Sequence, residues 1–367
     1  MYIKIKKMMK ILQLIPSLQS GGAEKLVCEL TNALNALDNV TCDVGVMYPV
    51  DKQHHFTSEL KDTRVFSFNK TSGINLRVPY ALCKEIRRNK YQAVHAHLNA
   101  IPYLFLASII FRKVKFVATI HSDAFFESGG KISWLIRKVL FKLRLVEPIA
   151  ISEESRQSFV QCYNIDPKVI YNGVSECDCD NVPDELRNDT NDLIFIHPAS
   201  CQPVKNQELL LKAFQKVTEK YSQVYLYWFG DNSAYRTLFD ELSIYLSDNI
   251  KYCGCVKDVR RFLLHADAVC LSSKIEGMPM VIIEGFSVGC MPLVTPVGGC
   301  LNMVQDGVNG LVAKDMSLQS YVDIIERLVS MPESERLQMR ENAYNSYMKL
   351  YTVDTCARKY MAIYSLD

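Results

Sequence analysis

Residues 266–299 read ADAVCLSSKIEGMPMVIIEGFSVGCMPLVTPVGG. The run ADAVCL has the length of a buried strand and breaks at Ser272-Ser273 into a short loop holding Glu276. Pro279 suits the opening of a helix, where its missing N–H costs nothing, and Gly289 suits its end. A second strand at residues 291–295 and a Gly298-Gly299 turn complete the unit. Glu284 then falls in the second turn of the helix, eight residues after Glu276, so both carboxylates can face one crevice. The first helical amides, those of Met280 and Val281, lie between them and can receive an anion. Carboxylates bind vicinal hydroxyls and a helix start binds phosphate, so the pattern suits a sugar nucleotide. On spacing alone, two such glutamates also read as ordinary surface residues.

The same alternation extends in both directions. Apolar strands are expected at residues 193–197, 224–229 and 250–253, with helices starting near Asn206, Ser233, Asp258 and Leu318. Upstream, strands are expected at residues 11–16, 42–48, 92–97, 116–121 and 148–152, and a helix at residues 23–37 follows a Gly21-Gly22 turn. Strands alternating with helices predict an α/β class of two parallel, doubly covered sheets. A chain of 367 residues is long enough for two such domains. The polar stretch NGVSECDCDNVPDELRNDTND supplies the linker. The expected division is an acceptor-binding domain at 1–175, a linker at 176–191, a donor-binding domain at 192–345, and a C-terminal helical segment at 346–367 that packs back on the first domain. Ligands in such sheets lie at the carboxyl ends of the strands, which predicts a site in a cleft between domains.

Composition excludes several classes. Apolar residues make up 49% and charged residues 22%, which is globular rather than disordered. Thirteen cysteines at irregular spacings, with no Cys-x-x-Cys pair, fit reduced thiols rather than a disulfide framework or zinc. The longest apolar run, residues 101–111, is far short of the roughly 20 residues that span a bilayer. Net charge is +2, but residues 1–170 carry 24 Lys+Arg against 14 Asp+Glu while residues 171–367 carry 18 against 26. A basic first half could meet nucleic acid or an anionic membrane surface. No nucleic-acid motif accompanies it, and no nucleic acid is expected as a partner.

The strand, Glu-Gly-x-Pro loop, Glu-Gly-x-x-x-Gly helix and Gly-Gly turn resemble the donor site of family 4 glycosyltransferases of the GT-B fold. In the family's order follow GGAEKL near the N-terminus, HAH at 95–97, TIH ending at His121, YNGV at 171–174, VKNQELLLKAF from Val204, FGD at 229–231 and DGVNGLV from Asp306. The resemblance implies two Rossmann-like domains and a donor site of Gly21, Gly22, Lys205, Glu276, Met278, Met280, Val281 and Glu284. Glu284 would hold the ribose hydroxyls, Glu276 would face the donor sugar, and Lys205 would neutralise the diphosphate. The Gly21-Gly22 turn would meet the same diphosphate from the other lobe, where a side chain would block close approach. His121, with Glu276 and Lys205, forms the expected catalytic set and lies near the anomeric centre in similar enzymes. His95 and His97 are read as pointing to opposite faces of their strand and as structural. Asn172 and Gly173 are read as shaping the interdomain turn.

Three positions depart from the family pattern. Ser200 stands where an arginine usually pairs with the lysine, Asn232 ends the usual Gly-Asp-Gly, and Asn302 replaces a glutamate after the Gly-Gly turn. Asp178-Cys179-Asp180 resembles a manganese-binding Asp-x-Asp, but in the linker it reads as a solvated turn. No metal and no cofactor are expected.

Residues 131–146, KISWLIRKVLFKLRLV, carry five basic residues and no acid. At 100° per residue, Lys131, Lys138 and Lys142 form one stripe and Arg137 and Arg144 another, with Trp134, Phe141 and Leu145 between. Ile132, Ile136, Val139, Leu140 and Leu143 form the opposite side. The expectation is that this second side is buried and that the aromatic strip lies on an anionic membrane, against an ordinary buried helix with snorkelling cations. The sequence is therefore read as a metal-independent glycosyltransferase, and the family resemblance implies that it is a retaining one. It would pass a sugar from a UDP-sugar, in preference to a GDP-sugar, to a lipid-linked glycan acceptor of a bacterial envelope or capsule. Its expected location is cytoplasmic and peripheral at the inner face of the membrane. A nucleotide-sugar epimerase of the same fold and a non-catalytic two-lobed sugar-binding protein are the alternatives.

Overall fold

The computed structural model describes residues 8–19, 21–50, 55–71, 73, 75–177, 186 and 191–365. The chain divides into two compact units, Met1–Val174 with Val353–Asp367, and Ser175–Thr352. Asp178-Cys179-Asp180 lies outside the described residues.

The first unit is built on seven parallel strands: β1 Met9–Ile15, β2 Val40–Val46, β3 Val65–Ser67, β4 Ala93–His97, β5 Lys115–Ile120, β6 Glu147–Ala150 and β7 Lys168–Val169. Their spatial order is β3-β2-β1-β4-β5-β6-β7. The central strands are apolar on both faces because helices cover both. Side-chain alternation sorts them: Leu12, Leu14, Val94, Ala96, Phe116 and Ala118 enter one core, and Ile11, Ala93 and Val117 enter the other. The second core is closed by Leu26, Leu30 and Leu34 of the helix Gly22–Asn35 and by Cys356, Ala357, Tyr360 and Tyr364 of the helix Val353–Tyr364. The chain's last helix thus belongs to the first unit.

The second unit has six parallel strands: β8 Leu193–Pro198, β9 Val224–Phe229, β10 Ile250–Gly254, β11 Ala268–Leu271, β12 Met291–Val294 and β13 Leu311–Val312, in the order β10-β9-β8-β11-β12-β13. Phe195, Leu226, Trp228, Cys270 and Leu293 pack under the helices Gln207–Lys220 and Leu318–Val329. Burial of each large side chain contributes about 2 kcal/mol relative to exposure. Both sheets have the order of a doubly wound nucleotide-binding fold, which reverses direction at β1/β4 and at β8/β11.

Two expectations are corrected. His95 and His97 do not point apart: positions two apart on a strand share a face, and their rings lie 4.1 Å apart, both fully buried. The helix Lys131–Lys142 keeps Leu140 of the expected side fully buried, but the rest of its buried face differs from the expectation. Phe141 is buried edge-on against Phe159 and Tyr163, and the Trp134 indole N–H donates to Cys162 Sγ at 3.3 Å. Arg137 is 1% exposed; it donates to Leu98 O at 2.8 Å and meets Glu127 at 3.5 Å. The aromatic cluster and the buried carboxylate draw in the face expected outside. Ile132, Leu135 and Leu143 stand 62%, 56% and 64% exposed instead. Lys131 and Lys142 are exposed, while Lys138 lies over the Trp134 ring at 4.3 Å.

Candidate active site

In the second unit the loops that leave β8 and β11 meet at the point where strand order reverses. After β8 the chain runs through Ser200 to a tight turn Pro203–Lys205, and Asn206 at φ 53° leads into the helix Gln207–Lys220. After β11 it passes Ser272 and Ser273 to Glu276, and Pro279 caps the helix Met280–Ser287, which begins one position later than the sequence suggested. The two loops are joined by one side-chain and one backbone hydrogen bond. Ser272 Oγ donates to Lys205 O at 2.9 Å, and Lys274 N donates to Val204 O at 2.8 Å.

Across that seam Lys205 Nζ donates to Glu276 Oε1 at 2.7 Å, and Ser273 Oγ donates to the same oxygen at 2.6 Å. The Glu276 side chain is 10% exposed and that of Lys205 28%. A carboxylate stripped of its cation at such depth loses several kcal/mol, so the pair holds both groups in place. Two further contacts fix the floor. Thr295 Oγ1 donates to Ser273 O at 2.7 Å, and Gly299 N donates to Glu276 O at 2.9 Å. Gly299 lies so close that an added Cβ would sit 1.6 Å from Gly277 O. Gly230 at the end of β9 is similarly constrained, since a Cβ there would be 2.2 Å from Ala199 O, at the start of the Lys205 loop. His197 on β8 donates its Nδ1–H to Cys270 O at 2.8 Å, and burial pulls its pKa down to about 4, so it is neutral.

Met278 is buried under this loop, Met280 and Val281 form the first turn of the following helix, and Glu284 lies half-buried in its second turn. The structure therefore gathers Lys205, Glu276, Met278, Met280, Val281 and Glu284 on two adjoining loops and one helix. Ser200 offers its carbonyl to Gln207 Nε2 at 2.9 Å, and Asn302 is exposed. Sequence reasoning missed Ser273 as a partner of Glu276, although the Ser-Ser pair at a strand end marked it.

In the first unit Gly21 precedes the helix Gly22–Asn35, and His121 directly follows β5. The His121 backbone N–H donates to Glu127 Oε2 at 2.7 Å, and its ring Nε2 lies 2.9 Å from His97 Nδ1. Burial pulls the His121 pKa down to about 3 and raises the Glu127 carboxyl above its ordinary range, against the pull of Arg137. A cavity of about 790 Å³ opens at the strand ends of this unit, lined by Met47, Tyr48, Lys70, Leu76, Phe105 and Ile132 among others. Helix Lys131–Lys142 thus contributes an exposed apolar edge to it. Among the described residues no cluster of three His, Cys, Asp or Glu could hold a metal, and no helix is long and apolar enough to cross a membrane.

Comparison with known proteins gives this geometry a family. Residues 20–176 match the profile of Glycosyltransferase Family 4, and residues 179–346 match that of Glycosyl transferases group 1. EpsD of Bacillus subtilis, named as a glycosyltransferase, is 27% identical over 182 residues; the chain spans 47% of its length. The N-acetyl-alpha-D-glucosaminyl L-malate synthase of Bacillus anthracis is 23% identical over 303 residues, 79% of this chain and 78% of that one. A Campylobacter jejuni alpha-1,4-N-acetyl-D-galactosaminyltransferase named for a diphospho-undecaprenol-linked acceptor is 23% identical, covering 83% and 84%. Among solved structures, a glycosyltransferase from Rickettsia africae superposes with a TM-score of 0.80 at 20% identity over 98% of both chains. Anabaena HepE bound to UDP superposes at 0.79 and 21%, covering 96% and 99%. The chain belongs to the family 4 glycosyltransferases of the GT-B fold, and is a glycosyltransferase.

Proposed function

We propose that this glycosyltransferase moves a sugar from a UDP-sugar to a hydroxyl of a lipid-linked glycan, with retention at the anomeric carbon and without a metal. The process served would be synthesis of a bacterial envelope or capsular polysaccharide, at the inner face of the cell membrane. The observation that carries the reading is the Lys205–Glu276–Ser273 cluster at the reversal point of the second sheet. Before a donor arrives, Lys205 neutralises Glu276. A diphosphate, with its two negative charges, competes for that ammonium and leaves Glu276 to accept hydrogen bonds from sugar hydroxyls. Glu284, eight residues further on in the second turn of the helix, takes the ribose hydroxyls, and the amides at the start of its helix favour the phosphate. Lys205 then stabilises the charge that grows on the departing diphosphate, a contact of the kind that contributes a few kcal/mol in a transition state. With Ser200 in place of the usual arginine, exposed Lys274, tied by its backbone to Val204, supplies the second cation.

In the first unit, His121 is the residue that the family resemblance assigns to the reacting sugar. The apolar cavity there takes the acceptor, and the exposed Ile132, Leu135 and Leu143, flanked by Lys131 and Lys142, rest on the anionic surface that carries it. The acceptor class draws support from the lipid-linked substrate in the name of the Campylobacter relative, and the donor base from the UDP complex of HepE.

The test is thermal stabilisation by a panel of UDP, GDP and their sugars, with chelator present throughout. A ligand at 100 times its Kd adds about 2.7 kcal/mol of stability. UDP is expected to raise the melting point of the wild type and to lose most of that effect in Glu284→Ala. An unchanged shift in that variant removes Glu284 from the ribose site.

A further inference from the structure

One polar side chain interrupts the buried strand Ile11-Leu12-Gln13-Leu14-Ile15, and Gln13 is fully enclosed. Its neighbours on the same face of the sheet are equally polar. His97 Nε2 lies 2.8 Å from Gln13 Oε1, and Gln13 Nε2 lies 3.5 Å from the Tyr364 hydroxyl. That hydroxyl is 2.6 Å from His95 Nδ1; His95 Nε2 is 2.7 Å from Thr119 Oγ1, which is 2.8 Å from the Tyr360 hydroxyl. At the other end His97 Nδ1 reaches His121 Nε2 at 2.9 Å. A continuous hydrogen-bonded chain thus runs from the C-terminal helix Val353–Tyr364 to His121, all within the first unit.

The proton positions follow from the distances. Burial and the neighbouring rings hold His95 and His97 well below the ordinary histidine range, so each carries one N–H. Two arrangements of the chain are self-consistent, and they differ in which way Tyr364 points its single proton. A hydroxyl donates at about 2.5 to 3.0 Å, which fits His95 Nδ1 and not the Gln13 amide. Tyr364 therefore donates to His95, and the Gln13 NH₂, 3.5 Å from its oxygen, is the longest and weakest contact of the chain. Gln13 Oε1 then faces His97, whose Nε2 must carry hydrogen. His97 Nδ1 is a lone pair, and only an N–H on His121 Nε2 can satisfy it.

We infer that the C-terminal helix, acting through Tyr364, Gln13 and His97, fixes His121 as its Nε2–H tautomer and so presents the Nδ1 lone pair as an acceptor for a sugar hydroxyl. The part concerning sugar rests on the function proposed above; the tautomer does not. The reverse arrangement would make the same nitrogen a donor, with the opposite preference for the group it meets. Tyr364, Gln13 and His97 are positioning residues, since none of them needs to touch substrate.

The full chain labelled with ¹⁵N in its histidines tests this by long-range ¹H–¹⁵N correlation, with His121 assigned by loss of its signals in His121→Gln. The expected wild-type spectrum shows neutral His121 protonated at Nε2 between about pH 6 and pH 8. In Tyr364→Phe, which keeps the ring and removes the proton source, an Nδ1–H population should appear at His121. Turnover of UDP-glucose by hydrolysis should fall about tenfold in kcat with KM within twofold. Gln13→Met, which breaks the chain at its centre, should give the same spectrum should Tyr364→Phe fail to fold. An Nδ1–H tautomer in the wild type, or an unaltered His121 spectrum in both variants, overturns the inference. Altered spectra with unchanged kcat overturn the role in catalysis. Absence of UDP-glucose turnover in the wild type would count against the donor reading, and the imidazole spectrum still decides the tautomer.

Discussion

Gly299→Ala adds one methyl group at the tightest point of the second unit. The new Cβ would lie 1.6 Å from Gly277 O, 2.5 Å from Gly277 C and 3.2 Å from Met278 N, all backbone atoms that no rotamer change can move aside. Contacts below 3.0 Å are essentially never tolerated, so the loop must retreat by roughly 1.4 Å. The Glu276 carboxylate moves with it, because Gly299 N also holds Glu276 O at 2.9 Å. Bonds of 2.7 Å to Lys205 and 2.6 Å to Ser273 would stretch towards about 4 Å, beyond hydrogen-bond range. Overpacking of this kind costs about 1 to 3 kcal/mol of stability. Misplacement of a reacting group by about 1 Å costs on the order of 100-fold in rate, close to 2.7 kcal/mol of barrier. The variant is therefore expected to melt as a folded protein at a somewhat lower temperature and to lose about 100-fold in kcat/KM for the donor. Calorimetry with and without UDP, together with UDP release from a UDP-sugar, measures both. A Gly299→Ala protein whose UDP-induced shift and turnover stay within twofold of wild type would refute the placement of the donor against this loop.

Other expected outcomes concern the first unit. Arg137→Met leaves Glu127 buried beside His121 without its cation and should lower stability in urea by about 3 kcal/mol, with partial recovery in Arg137→Met/Glu127→Gln; a loss below about 0.5 kcal/mol would show the pair to be idle. Because His95 and His97 are held well below, and His121 and His197 at about 3 and 4, the unfolded chain takes up protons that the folded chain refuses below its ordinary histidine pKa. Stability should therefore fall as pH drops from about 6.5, by up to about 1.4 kcal/mol per pH unit for each histidine, against the opposing effect of the raised Glu24 and Glu127. Urea midpoints that rise between pH 7 and pH 5 would contradict this. Lys131→Ala/Lys142→Ala should weaken sedimentation with anionic vesicles by about 2 kcal/mol, some 30-fold, while Trp134→Ala should act through stability alone. Equal vesicle binding by wild type and the double lysine variant would remove that face from the membrane.

The long central strands were legible because parallel strands covered on both faces are written as unbroken apolar runs, as at residues 193–197 and 224–229. The edge strands β3, β7 and β13 were not, since two or three residues carry no period. Spacing could place Glu276 and Glu284 around one helix start, and the family pattern added Lys205. That Lys205 and Glu276 share a hydrogen bond, across 71 positions of sequence, is a consequence of strand order. The helix Lys131–Lys142 was misoriented because its sequence is apolar on two sides. What chose between them was a carboxylate at Glu127 and two aromatic rings at Phe159 and Tyr163, none of which its own periodicity contains. The histidine pair had a simpler cause: period two places His95 and His97 together, and the lone polar Gln13 inside an apolar strand was the signal that something on that face needed a partner.

The two sheets repeat one strand order and use opposite electrostatics at the place where it reverses. In the second unit a lysine 28% exposed and a glutamate 10% exposed neutralise each other, so a ligand that takes the ammonium must also give the carboxylate new partners. In the first unit three imidazoles are packed on one face with ring centroids 4.1 and 5.2 Å apart, and burial keeps them uncharged. A charged ring there would face both a desolvation penalty and its neighbours' unfavourable response, so the proton order of the chain is set by hydrogen bonds alone. An ionic pair suits the binding of a diphosphate, whose charge must be matched. A neutral, directional chain suits the recognition of a hydroxyl, whose donor and acceptor sides must be told apart and whose charge does not change until the sugar bond breaks.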